Sequence, residues 1–199
     1  MPSQASPQAA AAARSRERVT RILDEVCAKT GVARPTYVSA GERHQASYNP
    51  WNNRLKVSDT FAAKLSDRSL AAVIAHEIGH ARRRPALLSQ TGVFALMVVA
   101  VVAAFLSAPY NSATVVQLLF AAVAMATLCN WAGLLEEFAA DEFAVRYTGD
   151  VAGYMRVFQH TFALAGQEPG ESYMKRIRRL RELEQDVTPR RPPQNPPTA

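Results

Sequence analysis

Apolar residues divide the chain into three regimes. Pro85 to Leu135 is a run of 51 residues without Asp, Glu, Lys or Arg, whereas about a quarter of the other positions are charged. Ala86 to Ser107 and Thr114 to Leu135 supply about 22 residues each, enough for one bilayer crossing apiece. Pro109-Tyr110-Asn111-Ser112 between them is a turn signal. The pattern predicts a two-helix transmembrane hairpin over residues 86–135. A chain of 199 residues could hardly enclose two such helices in a soluble core.

Outside this run the apolar positions have helical or strand periods. Val19, Ile22, Leu23 and Val26 form one stripe of a helix over Arg16 to Lys29, ended by Gly31. Tyr37 to Ala40 and the Ala46 to Ser58 region read as short strands, with turns at Gly41 and at Pro50 to Asn53. Leu70 to Ala75 leads a further helix, for which Ser66 or Asp67 is a suitable cap. Val151 to Leu164 carries Tyr154, Val157, Phe158 and Phe162 on an amphipathic helix. Glu171 to Asp186 carries Tyr173, Ile177, Leu180 and Leu183 at helical spacing. Residues 1–13 and the Pro-rich residues 188–199 read as disordered tails, bracketing a domain at 14–187.

The chemistry lies on the helix that ends at the apolar run. His76 and His80 of His76-Glu77-Ile78-Gly79-His80 are four residues apart, so both imidazoles share one helix face and can reach one metal ion. Glu77 borders the same cleft and suits a general base. A catalytic zinc takes three protein ligands and leaves one position open. His44, His160, Cys27 and Cys129 lie in unrelated settings, which leaves carboxylates. Glu137 and Asp141, beyond the apolar run, share a helix face at i and i+4. One can ligate metal while the other hydrogen-bonds a ligating histidine; alternatively, with Glu136 and Glu142, they form an acidic helix surface.

The HEIGH sequence, the apolar hairpin and Glu137-x-x-Ala140-Asp141 together resemble the HtpX and CAAX prenyl endopeptidase family of membrane zinc metallopeptidases. Lys175-Arg176-Ile177-Arg178-Arg179-Leu180 is similar to that family's basic RIxxL helix. The likeness covers residues 35 to 183. It implies a mostly α-helical α+β fold: a minigluzincin-like zinc-peptidase domain with a short β-hairpin and an inserted two-helix transmembrane hairpin. It further implies one zinc ion held by His76, His80 and Glu137, with Glu77 catalytic and Asp141 orienting a ligand. An extended substrate is expected to dock on an edge strand beside the cleft. The chain departs from many relatives at Trp131 to Leu135, where they carry Ser-Arg, and at Glu168 to Glu171, where they carry Thr-His-Pro. The expected activity is endoproteolysis of unfolded or flexible protein segments at the cytoplasmic membrane face. The alternative is a non-catalytic zinc-containing membrane adaptor or sensor.

Charge sets the remaining expectations. Arg82-Arg83-Arg84 precedes the first span and the hairpin tip carries no charge, so both flanks, both termini and the site fall on the cytoplasmic side. The net charge of +6 is concentrated in stretches such as the last helix. Anionic lipid accounts for this with the bilayer as partner, and no nucleic acid is expected. Two cysteines make no disulfide framework. His160, Arg146 and Tyr147 are candidate donors to the charge that develops during hydrolysis.

Overall fold

A computed structural model of the chain describes residues 7–40, 46–107, 112–166 and 168–187. Residues 1–6 and 188–199 of the expected tails, Gly41, His44 and the hairpin turn at 109–111 lie outside the described residues. The order is α1 (Pro7–Thr30), β1 (Thr36–Ala40), β2 (Ala46–Asn49), β3 (Arg54–Ser58), α2 (Asp59–Lys64), α3 (Asp67–Arg82), α4 (Arg84–Ser107), α5 (Ser112–Thr148), α6 (Val151–Leu164) and α7 (Glu171–Val187). The fold is mostly helical with one three-stranded sheet and two long apolar helices, the architecture expected above.

The stripe of α1 is fully buried at Val19, Leu23 and Val26, against Leu70, Ile74 and Ile78 of α3 and Leu55 and Val57 of β3. Gly31 closes α1 at φ +69°, where a Cβ would be strained. One boundary moves. Residues 7–13, expected as tail, are the first turns of α1, because five consecutive alanines at 9–13 favour helix above every other residue type.

The sheet order is β1-β3-β2, with β1 parallel and β2 antiparallel to β3. The hairpin through Pro50 to Asn53 therefore leaves β2 at an edge. Ser58 accepts from the Phe61 N–H and starts α2, a short helix without an apolar period to announce it. Ser66 accepts from the Ser69 N–H and starts α3.

The packing of α3 on α5 brings the two halves of the site together. Their closest approach is at Gly79, where a Cβ would fall 2.9 Å from Ala140 Cα and 3.2 Å from Phe143 Cβ. Only glycine lets the helices meet at this distance. Gly79→Ala must push the helices apart against backbone, at a cost of about 1–3 kcal/mol, and a lower unfolding temperature with weaker metal retention is the expected result.

α4 begins one residue after α3 ends, with no buried residue along its length. α5 is a single helix of 37 residues that carries both the second apolar stretch and Glu137 and Asp141. Both α4 and α5 are long and apolar enough to cross a membrane. Leu96, Val99 and Leu106 on α4 and Leu119, Phe120 and Val123 on α5 are exposed.

Candidate metal centre

His76 and His80 stand one turn apart on α3, their rings edge to face at 4.9 Å. Glu137 of α5 faces both. His76 Nε2 is 3.4 Å from Glu137 Oε2, and His80 Nε2 is 3.6 Å from Glu137 Oε1. Tetrahedral zinc ligands at about 2.0–2.1 Å from the ion lie about 3.3 Å from one another. The three side chains thus offer two imidazole nitrogens and one carboxylate at the mutual distances that a shared cation requires, all within 4.8 Å.

Behind this cluster is a second layer that fixes it. His76 Nδ1 is 3.0 Å from Asp141 Oδ1 and 3.1 Å from Tyr154 Oη, so its proton is engaged there and Nε2 faces the cluster. Tyr154 of α6 donates to Asp141 Oδ1 at 2.6 Å. Arg176 of α7 forks onto Asp141, Nε to Oδ2 at 2.8 Å and Nη2 to Oδ1 at 2.6 Å. Its Nη1 reaches Glu137 Oε2 at 2.7 Å. One guanidinium therefore holds both carboxylates, and Phe158 stacks against its other side at 4.4 Å.

The charges follow from this geometry in the metal-free protein. Burial alone would lower His76 from 6.5, but its hydrogen bonds to Asp141 and Glu137 outweigh burial and raise it to about 9. Burial and the neighbouring His76 charge push His80 down to about 4. Burial opposes ionisation of Glu137, yet the His76 hydrogen bond and the Arg176 charge hold it at about 2. Asp141 is likewise held below the usual carboxylate range against burial, by His76 and Arg176. Glu77 shifts the other way: burial raises it, partly countered by His76. A carboxylate made more basic beside a metal cluster suits proton abstraction.

The cluster opens into a cleft of about 660 Å³. Ala46, Ser47 and Tyr48 of edge strand β2 form one wall and Val157, Phe158 and Phe162 of α6 another. Leu87, Phe94, Cys129 and Gly133 extend it between α4 and α5, and Glu77 lines it. A model of peptidase family M48 matches residues 13–184. The chain belongs to peptidase family M48. Family M48 members are metal-dependent peptidases, so the protein is a metallopeptidase, and the HtpX- and CAAX-type resemblance agrees with that membership. Searches of curated proteins and of solved structures gave no match.

Several expectations about M48 chemistry in this chain change with the geometry. Glu136, grouped above with a possible acidic surface, is buried and accepts from Arg83 Nη2 at 2.7 Å. The three candidate donors all lie elsewhere. Arg146 pairs with Glu142 at 2.6 Å, Tyr147 lies under the Lys29 ammonium, and His160 lines a separate small pocket beside Arg68 and Asp150. Arg176 and Tyr154 join the cluster from α7 and α6, and motif spacing does not assign either of them to it. Helical phase carried a signal for Arg176, which is one turn from both Tyr173 and Leu180 and points inward while Arg178, Arg179 and Arg181 are exposed.

A pH dependence follows. A histidine must be neutral to ligate metal. Below about pH 9 the metal must displace the His76 proton, whereas His80 is already neutral above about pH 4. The affinity of metal-free protein for a divalent cation is therefore expected to rise by about tenfold per pH unit from pH 5 to pH 9 and then level off, as one displaced proton requires. Competition titration with a chelating dye measures this; a flat profile between pH 6 and pH 8 would contradict the His76 assignment.

Proposed function

We propose that the chain is a membrane-anchored zinc endopeptidase that hydrolyses peptide bonds in unfolded or flexible protein segments at the cytoplasmic face. The observation that carries this is the His76–His80–Glu137 cluster opening onto a cleft lined by Glu77. Two imidazoles and a carboxylate are a donor set that suits zinc. Among the described residues no fourth such donor joins the cluster. A structural zinc closes all four positions, which disfavours the adaptor or sensor alternative.

When bound, zinc supplies Lewis acidity, bringing the pKa of a water molecule toward about 7 and polarising a carbonyl. The remaining work falls to the chain's own side chains. The Glu77 carboxylate accepts the proton of the attacking water and delivers it to the leaving amine. Asp141 and Tyr154 keep His76 in one tautomer and one orientation. Arg176 keeps Glu137 ionised and stops it from turning away. Edge strand β2 offers main-chain hydrogen bonds to an extended segment laid across the cleft.

The bilayer supports the same scheme. The exposed apolar surfaces of α4 and α5 fit hydrocarbon, and Arg82 to Arg84 fit a cytoplasmic flank. The first span leaves directly after the histidines, and the second returns into Glu137. A hairpin brings both halves of the cluster to one membrane side, which a single span could not do.

Metal analysis of detergent-purified protein, together with casein cleavage, tests the scheme. About one zinc per chain and cleavage are expected. Glu137→Ala is expected to lose both. Full activity of Glu137→Ala, or folded wild-type protein that neither holds zinc nor cuts casein, would defeat it.

A further inference from the structure

We propose that the β2–β3 turn, residues 49–53 with Trp51 at its tip, docks on the headgroup layer of an anionic lipid bilayer. This rests on α4 and α5 being bilayer spans and is independent of the peptidase chemistry. It adds a third point of membrane contact, on the soluble part of the chain, beside the mouth of the cleft.

The turn is built to present the indole. Trp51 is 65% exposed. The Trp51 backbone N–H donates to Asn49 Oδ1 at 2.9 Å, and the Tyr48 hydroxyl donates to Asn53 Oδ1 at 2.8 Å. Asn53 takes φ +51°, a left-handed conformation that asparagine tolerates better than most residues. Both asparagines are thus committed to the turn's own hydrogen bonds. The outward tryptophan belongs to a fixed loop and not to a slack one.

The turn is also fixed at the right level. Arg84 Nε donates to the Pro50 carbonyl at 2.7 Å. Arg84 is the first residue of α4, and no charged residue follows it until Glu136. The residue beside Trp51 is therefore bonded to the point where the first span would enter hydrocarbon. Pro50 lines the same cleft as Leu87, Gln90 and Thr91 of that span. Tryptophan, with an apolar body and one N–H, is favoured at this depth. Arg83 is paired with Glu136, but Arg82 and Arg84, with Arg54 at the far end of the turn, give the local surface the positive charge that anionic headgroups attract.

The two tryptophans make the test direct, because Trp131 on α5 reports the span and Trp51 reports the turn. Full-length protein is reconstituted in vesicles of mixed phosphatidylcholine and phosphatidylglycerol. Emission is followed in Trp131→Phe, which reports Trp51, and in Trp51→Phe, which reports Trp131. Trp51 is expected to show blue-shifted emission, to lose most of it to lipids brominated near the headgroup, and to be shielded several-fold from aqueous acrylamide. If Trp131 is quenched by bromolipid while Trp51 emits as in water, the spans stand and the docked turn is refuted. A blue-shifted Trp51 that bromolipid does not quench, as under a protein partner or a second copy, refutes it as well. If neither is quenched, both the spans and the docked turn fail. Should Trp131→Phe not fold, the difference between wild type and Trp51→Phe gives the Trp51 signal.

Discussion

Glu77→Gln is expected to retain the metal and lose most activity, with kcat lower by about 10²- to 10⁴-fold, the usual contribution of a positioned proton acceptor. Glutamine has nearly the shape of glutamate, so the cleft wall is preserved. It has no basic oxygen, so the proton of the attacking water has nowhere to go. Because the triad is untouched, metal content should match wild type while casein cleavage falls. The split matters: Glu137→Ala loses metal and activity together, whereas Glu77→Gln separates them. Comparable turnover in Glu77→Gln would remove Glu77 from the chemistry and leave the cleft without a base. The direction of its pKa shift agrees with the assignment, since burial makes this carboxylate more basic while its neighbours Glu137 and Asp141 are held ionised.

The second large effect is structural. Arg176→Met is expected to cost about 3 kcal/mol, because it takes the guanidinium from buried Asp141 and half-buried Glu137 and leaves the His76 imidazolium as the remaining counter-charge. Asp141 is 2% exposed and cannot recover its loss from water. At about 2–4 °C per kcal/mol for a chain of this size, unfolding of the metal-free protein should move down by roughly 10 °C. Methionine keeps the aliphatic stem against Phe158, so the loss isolates the charge. Arg176→Lys should recover only part of it, since one ammonium cannot reproduce a fork that bonds three carboxylate oxygens. An unchanged unfolding temperature in Arg176→Met would show that the fork contributes nothing to the fold.

What was legible in the sequence was whatever local periodicity or local spacing encodes. The stripe of Val19, Ile22, Leu23 and Val26 identified α1 and its buried face. The i and i+4 histidines identified the face of α3 that meets Glu137, and Ser66 or Asp67 its start. The charge-free run identified α4 and the apolar part of α5. Glu137 was legible differently: spacing left it level with Asp141, and only resemblance to a family chose between them. Contacts between distant positions were not legible. Tyr154 and His76 are 78 positions apart, and Arg176 and Asp141 are 35 apart. On their own helices, Tyr154 reads as an ordinary core aromatic and Arg176 as one of several basic residues. The parallel pairing of β1 with β3 was hidden for the same reason, since no local rule says which strand takes the edge. Glu136 looked like solvent-facing charge because its partner, Arg83, arrives from beyond the hairpin.

The continuity of α5 sets a length scale. Glu137 is its twenty-sixth residue, and the helix contains no proline to bend it. If the apolar stretch that ends at Leu135 crosses the hydrocarbon, a rise of 1.5 Å per residue leaves Glu137 about 3 Å beyond its edge. The helix then acts as a ruler whose zero is the bilayer and whose mark is the metal. Bonds that pass within that short stand-off are within reach as they are. A bond held farther out by a rigid domain must wait for its chain to loosen and come down, so distance from the membrane becomes a selection rule before any side chain is recognised.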